Sequence, residues 1–347
     1  MEISDHEPLA PRTTLGVGGK ARYFALARSE SDVIQALGWA KAREVPVRVL
    51  GGGSNLVVAD QGFDGLVVGV ELRGVSFSPT TGGALLTARA GEPWDDVVES
   101  AVRRGLAGLE GLSGIPGSVG ATPIQNVGAY GQEVAETIDS VRAVDRATLE
   151  PLELDAKACR FSYRDSFFKS EAPERFVVIE VRFALPQRPP GVVRYPDLQR
   201  ELSRQHLTQP SLADVRAAVL AVRAEKSMLL DPSDPNGRSC GSFFLNPVVS
   251  SADAERIERL LPDASLPKYP QPDGRMKLAA GWLIEHSGFH KGLRDGHVGL
   301  STKHALAIVA HGGATASEVR RFAQKIQAGV EARFGVALAP EPNFWGF

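Results

Sequence analysis

The chain has 347 residues, 43% hydrophobic and 23% charged, with a formal net charge of −2. That length allows two or three domains with sizeable cores, and the composition excludes a disordered or fibrous chain. So even a charge balance excludes a general nucleic-acid or membrane-surface binder, and any anionic ligand must be met by a few placed cations.

The opening stretch, MEISDHEPLAPRTT, is polar and has no apolar signal core. No apolar run reaches the roughly 20 residues of a bilayer helix, so a cytoplasmic protein is expected. Ala21–Leu26 reads as a short strand. Ser29 with Asp32 three residues on caps a helix whose stripe is Val33, Leu37 and Ala40. Pro46 stops it, and the strand Val47–Leu50 opens into Gly51-Gly52-Gly53-Ser54-Asn55, which is either a phosphate cradle or a turn between strands. There is no GxGxxG and no acidic residue at the following Rossmann spacing, which disfavours that fold. Strands follow at Leu66–Val70 and Ala84–Ala90, with a helix from about Pro93 to Arg104.

From Gly105 to Gly131 glycine recurs at 105, 108, 111, 114, 117 and 120. Neither helix nor strand favours this, since each internal glycine costs about 0.5–1 kcal/mol against alanine. The stretch is either a ligand loop whose bare N–H groups face an anion or a glycine-rich structural turn. Beyond it, Val141–Val144 and Leu152–Leu154 suggest a hairpin, and Phe176–Leu185 a long strand. PQRPPG, residues 186–191, reads as an edge or linker. Ser211 with Asp214 caps a helix carrying Val215, Ala218, Val219 and Val222 towards Lys226. Residues 242–249 read as a buried strand, and 252–261 and 277–287 as helices. Thr315 with Glu318 caps the clearest helix, with Val319, Phe322, Ile326, Val330 and Phe334 on one face and Gly335 at its end.

Arg164, in FSYRDSFFK, can hold a carboxylate or phosphate with its bidentate fork, or serve a surface ion pair. Ser242 lies beside Phe243 and Phe244 without a G-x-S-x-G elbow, leaving a proton-donor serine or a plain strand end. Glu341 stands between Pro340 and Pro342, which suits a placed carboxylate or a chain end. The two cysteines, Cys159 and Cys240, form neither a disulfide framework nor a zinc pattern, and the seven histidines show no ligand spacing, so no metal is expected.

Seven segments in order, TTLGVGGKA (13–21), LGGGSNLVV (50–58), GLSGIPGSVGATPIQNVGAYG (111–131), CRFSYRDSFFK (159–169), GSFFLNPVV (241–249), YPQPDGRMKLAAGWLIE (269–285) and LAPEPN (338–343), carry a family resemblance. Together the chain resembles the UDP-N-acetylenolpyruvoylglucosamine reductases, FAD enzymes that make UDP-N-acetylmuramate for peptidoglycan. The resemblance implies an α+β protein: a vanillyl-alcohol-oxidase/CO-dehydrogenase-type FAD-binding fold in two subdomains (1–72 and 73–210), an α+β substrate-binding domain (211–335), and a C-terminal segment (336–347) returning to the active site.

It implies Arg164 and Glu341 at the enolpyruvyl group and Ser242 as proton donor. It assigns FAD to Gly51, Gly52, Gly53, Ser54, Asn55, Gly114, Ile115, Pro116, Gly117, Ser118, Gly120, Ala121, Thr122, Gln125, Asn126, Gly128 and Tyr163. It assigns UDP-N-acetylglucosamine enolpyruvate to Tyr195, Lys226, Asn246, Tyr269 and Lys277, and NADPH as reductant to a cytoplasmic monomer. Tyr195 in RYPDL resembles the subtype with a tyrosine loop over the substrate. The chain departs from the family at Thr13-Thr14 and Ala121-Thr122, and His304 stands where glutamine is frequent. The alternatives are an FAD oxidase of the same fold and a non-catalytic nucleotide-sugar binding protein.

Overall fold

The computed structural model describes residues 1–347 and divides into two units. The first holds 1–7, 21–53 and 63–230; the second holds 8–20, 54–62 and 231–347. The helices are α1 (Glu30–Ala42), α2 (Trp94–Arg103), α3 (Pro196–Arg204), α4 (Leu212–Glu225), α5 (Ser251–Leu260), α6 (Ala280–Glu285) and α7 (Ala316–Phe334). None is long and apolar enough to cross a membrane.

In the first unit a four-stranded sheet runs in the order Ile3–Pro8, Lys20–Ala27, Phe63–Val70, Val47–Leu50. The last three strands are parallel, and α1 supplies a crossover between two of them. α1 starts as the sequence predicts, with reciprocal Ser29 and Asp32 capping bonds. It buries Val33, Ala36, Leu37 and Ala40. A second, five-stranded antiparallel sheet has the order Pro151–Asp155, Ile138–Asp145, Phe176–Pro186, Gly83–Arg89, Val75–Thr80. Its central strand buries alternate residues Ile179, Val181, Phe183 and Leu185. There Trp94 at the start of α2 packs 5.7 Å from the Phe183 ring, and its indole N–H donates to the Leu112 carbonyl. The bond satisfies the one polar atom of a large buried side chain.

In the second unit α7 buries all five stripe residues expected of it. The Thr315–Glu318 capping box opens it, and Gly335, at φ 66°, ends it in the left-handed conformation. Asp60 adds a second cap, accepting from the amides of Ala316 (2.7 Å) and Ser317 (3.0 Å). A carboxylate there complements the partial positive charge of the helix start. Asn343–Trp345 pairs in parallel with Leu56–Val58, joining residues far apart in sequence.

Two expected elements differ. Residues 242–249 are a strand only at Val248–Val249. Before that, Phe243 donates to Leu306 and Leu245 donates to Ala339, so the backbone alternates between two neighbours instead of following one. Pro247 has no N–H to continue a ladder. Residues 277–287 are helical only at Ala280–Glu285. Met276–Leu278 pairs with Lys268–Pro270 on one side and Val248–Val249 on the other, and this pairing overrides helix propensity.

Candidate functional site

The glycine-rich stretch is several structures, not one loop. Gly105 ends α2, its amide donating to Val102. Glu110–Leu112 and Val119–Ala121 are single 3-10 turns, and Gly128–Ala129 forms a small hairpin with Gln132–Glu133. The threefold spacing therefore has no single cause.

Ile115, Pro116, Gly117 and Ser118 pass the start of α2. Trp94 donates to the Gly117 carbonyl, Val119 to Glu92 and Gly120 to Ala90. The hydroxyl of Thr122 is spent on the Val119 carbonyl at 2.8 Å, closing the turn that contains Ala121. This loop meets the other glycine loop. A Cβ on Gly51 would lie 2.5 Å from the Ser118 hydroxyl, and one on Gly52 would lie 2.7 Å from the Gly117 Cα. The two stretches chosen as a phosphate cradle thus close on each other where no side chain fits, which is the backbone approach a dinucleotide loop requires. By this test the residues fit FAD. The 51–55 stretch divides between the units: Gly51–Gly53 lie in the first, Ser54 and Asn55 in the second.

Gly114 is gripped at both backbone groups. Its amide donates to Asp95 at 2.6 Å, and its carbonyl accepts from Arg223 at 3.1 Å. Arg216 binds both oxygens of the same aspartate, at 2.6 and 2.8 Å. Burial alone would raise the Asp95 carboxyl; Arg216 and the Gly114 amide outweigh it and hold Asp95 below the usual range. Nothing in the sequence pattern pointed to this pair.

Arg164 sits on a tight turn. Ser162 and Asp165 exchange both backbone bonds, at 3.0 and 3.1 Å, and Arg164 has φ 54°. A left-handed residue at that corner favours glycine, and an arginine there is an outlier of the kind that gathers at functional sites. Its guanidinium lies 5.3 Å over the Tyr163 ring and donates to the Gly128 carbonyl. Gln125 and Asn126 lie in the segment leading to Gly128. Asn126 is 1% exposed.

In the second unit, Ser242 and Glu341 lie on neighbouring backbones. The Glu341 amide donates to the Phe243 carbonyl at 2.9 Å, and Phe244 bridges Pro340. Phe243 and Phe244, buried and 5.4 Å apart, anchor the segment while Ser242 stays partly accessible. The Asn55 side chain donates to the Glu341 carbonyl at 3.2 Å, tying the glycine loop's last residue to the same place.

The expected sugar-nucleotide residues form two groups, one in each unit. Tyr195 packs edge-on against Tyr130 at 5.1 Å, with Lys226 5.9 Å over its ring and paired to Asp197. The second group is on the small sheet, where Tyr269 and Lys277 are cross-strand partners. Asn246 accepts from the Ala280 amide at 2.9 Å. Tyr130 and Asp197 were not singled out from sequence; the Tyr-Pro-Asp run that opens α3 was the available signal for the aspartate. His286 is stacked on Trp282, and His297 contacts Glu318, the α7 capping residue.

Cys240, two residues before Ser242, is buried, and burial pushes its thiol up to about 12; Cys159 is pushed equally high. The thiolate is the reactive form. The native protein at pH 8 should therefore resist iodoacetamide at both cysteines and react at both once unfolded at the same pH. Mass spectrometry showing prompt native alkylation of Cys240 would contradict the packing described here.

Residues 231–345 match the family model "UDP-N-acetylenolpyruvoylglucosamine reductase, C-terminal domain", and residues 21–151 match an FAD binding domain. The chain is 45% identical to the UDP-N-acetylenolpyruvoylglucosamine reductase of Pseudomonas aeruginosa over 346 residues, covering 99% of each. It is 46% identical to that of Thermobifida fusca over 349 residues, covering 98% of this chain and 97% of the other. Among solved structures, it resembles the UDP-N-acetylenolpyruvylglucosamine reductase of Thermus caldophilus, with a TM-score of 0.68, 26% identity and 99% of both chains covered.

Proposed function

The chain belongs to the UDP-N-acetylenolpyruvoylglucosamine reductase family, and from that premise we propose how its residues divide the work. It is an FAD-binding oxidoreductase of peptidoglycan precursor synthesis. Its reductant is NADPH, its substrate UDP-N-acetylglucosamine enolpyruvate and its product UDP-N-acetylmuramate. It acts as a cytoplasmic monomer.

When bound, FAD would supply two-electron hydride chemistry between NADPH and the enolpyruvyl double bond. Gly51–Asn55 and Gly114–Thr122 would hold it, with Gln125, Gly128 and Tyr163 alongside. The chain's own task is the charge and the proton. Hydride addition at the terminal carbon builds negative charge on the neighbouring carbon and its carboxylate. Arg164 stabilises that charge with a fixed cation. Ser242 Oγ gives its proton to the neighbouring carbon, so that one hydride and one proton saturate the double bond. Serine is a weak acid, but the developing carbanion is a strong base, so Ser242 serves as general acid when held within hydrogen-bond reach. Glu341 orients that proton. Lys226 and Lys277 meet the diphosphate, and Asn246, Tyr195 and Tyr269 the rest of the sugar nucleotide. The packing of Tyr195 against Tyr130 and Lys226 supports the tyrosine-loop subtype.

The observation that carries this reading is the backbone bond from Glu341 to Phe243, which keeps the expected acid and its carboxylate on adjoining segments. One anaerobic titration tests it. NADPH should bleach the flavin bands, and UDP-N-acetylglucosamine enolpyruvate should restore them without oxygen. Recovery only on admitting air would indicate an oxidase. A protein that takes up no FAD would be a binding protein.

A further inference from the structure

We propose that Asn126 is a positioning residue for Arg164, and that its side chain serves the arginine turn instead of contacting FAD. The inference rests on the assignment of Arg164 to the substrate carboxylate given above.

Both amide donors of the Asn126 side chain, and one lone pair of its oxygen, are used within the protein. One amide hydrogen goes to Glu133 Oε2 (2.7 Å) and the other to the Ser162 carbonyl (2.9 Å). Its oxygen accepts from the Ala135 amide at 3.1 Å. A primary amide has two donors and an oxygen with two lone pairs; both donors and one lone pair are engaged, in a residue 1% exposed. Asn126 is therefore locked to the 133–135 segment and presents its remaining donor to the arginine turn. Ser162 is the residue that closes that turn with Asp165.

Further straps fix the same turn. Ser166 Oγ donates to the Ile124 carbonyl at 2.6 Å, and Lys169 Nζ to the Arg164 carbonyl at 2.8 Å. Arg164 itself reaches the Gly128 carbonyl. A Cβ on Gly128 would meet Glu133 Cγ at 2.8 Å and Arg164 Nη1 at 2.9 Å, so that backbone is threaded between the Asn126 partner and the guanidinium. Arg164 occupies a backbone conformation that arginine does not favour, and such a conformation persists only where its surroundings over-determine it. Asn126 is itself left-handed, at φ 46°, which asparagine tolerates.

Two variants separate positioning from stability. Asn126→Asp keeps size and backbone tolerance but places a carboxylate against Glu133 and loses the donor to Ser162. Asn126→Asp/Glu133→Gln restores a bond between 126 and 133, from the glutamine amide, and still leaves the Ser162 carbonyl without the donor from residue 126. Both should retain FAD with a wild-type visible spectrum. The double variant should recover most of any Tm lost by the single one. Anaerobic flavin reoxidation by substrate should stay about 10- to 100-fold slow in both, the scale expected from displacing a catalytic group by about 1 Å. Ser166→Ala, which cuts an independent strap, should slow the same step while FAD stays bound. Reoxidation that recovers together with Tm would overturn the proposal, and so would loss of FAD from the double variant, which would return Asn126 to the cofactor contacts. Wild-type flavin is titrated first: if substrate does not reoxidise it, the assignment of Arg164 fails and the proposal with it.

Discussion

Ser242→Ala is expected to leave bleaching of the flavin by NADPH intact while slowing its reoxidation by substrate at least about a thousandfold, within the range that a positioned general acid contributes. The two half-reactions separate because only the second needs a proton delivered to carbon. The substitution should disturb little else. Ser242 is partly accessible, and the backbone around it is held by Phe243, Phe244 and the bonds to Leu306, Ala339 and Glu341, none of which uses the hydroxyl. Stopped-flow absorbance of the flavin follows both steps in one preparation. A variant that reoxidises at the wild-type rate would remove Ser242 from the role of acid and leave a water or Glu341 to take it.

Gly52→Val should purify colourless and fail to take up added FAD. Gly52 is not in a left-handed conformation, so a side chain is not excluded by the backbone angle. It is excluded by space. The atoms a Cβ would meet are Gly117 Cα at 2.7 Å, Gly117 C at 3.0 Å and Ser118 N at 3.3 Å, all backbone, so no rotamer change relieves the clash. The two glycine loops would have to part. Gly191→Val is the control, since an added Cβ at Gly191 meets nothing within 4 Å, and that variant should stay yellow. Absorbance near the flavin bands per mole of protein decides the matter. A yellow Gly52→Val protein would mean that closure of these loops is not what holds the cofactor.

What the sequence made legible was local. The capping boxes of α1, α4 and α7 need only residues three apart, and all three formed as expected. The alternation of the Phe176–Pro186 strand and the stripe of α7 follow from single-element periodicity. The seven family segments identified the reductase. The illegible features are joined through space. Asp95 and Arg216 pair across 121 positions, and their task is to hold Gly114, a residue adjacent to neither. The regular glycine spacing invited one explanation and has several, because a helix end, a loop contact and a hairpin can each demand glycine. Three-residue strands such as Met276–Leu278 carry too little pattern to compete with helix propensity until their partners are in place. Asn126 read as one more polar residue of a cofactor loop; only its three bonds distinguish a buttress from a ligand contact.

The parallel pairing of Leu56–Val58 with Asn343–Trp345 also sets a timetable for synthesis. Leu56, Val57 and Val58 are buried in the folded chain. On the ribosome they emerge long before the strand that covers them. At about 5–20 residues per second, their partner follows tens of seconds later. Throughout that interval an apolar edge is available to other chains, the exposure that invites mispairing. Glu341, just ahead of the late strand, emerges with it. The carboxylate assigned to the reaction is thus delivered with the late strand, and a nascent chain lacks it until that strand has emerged.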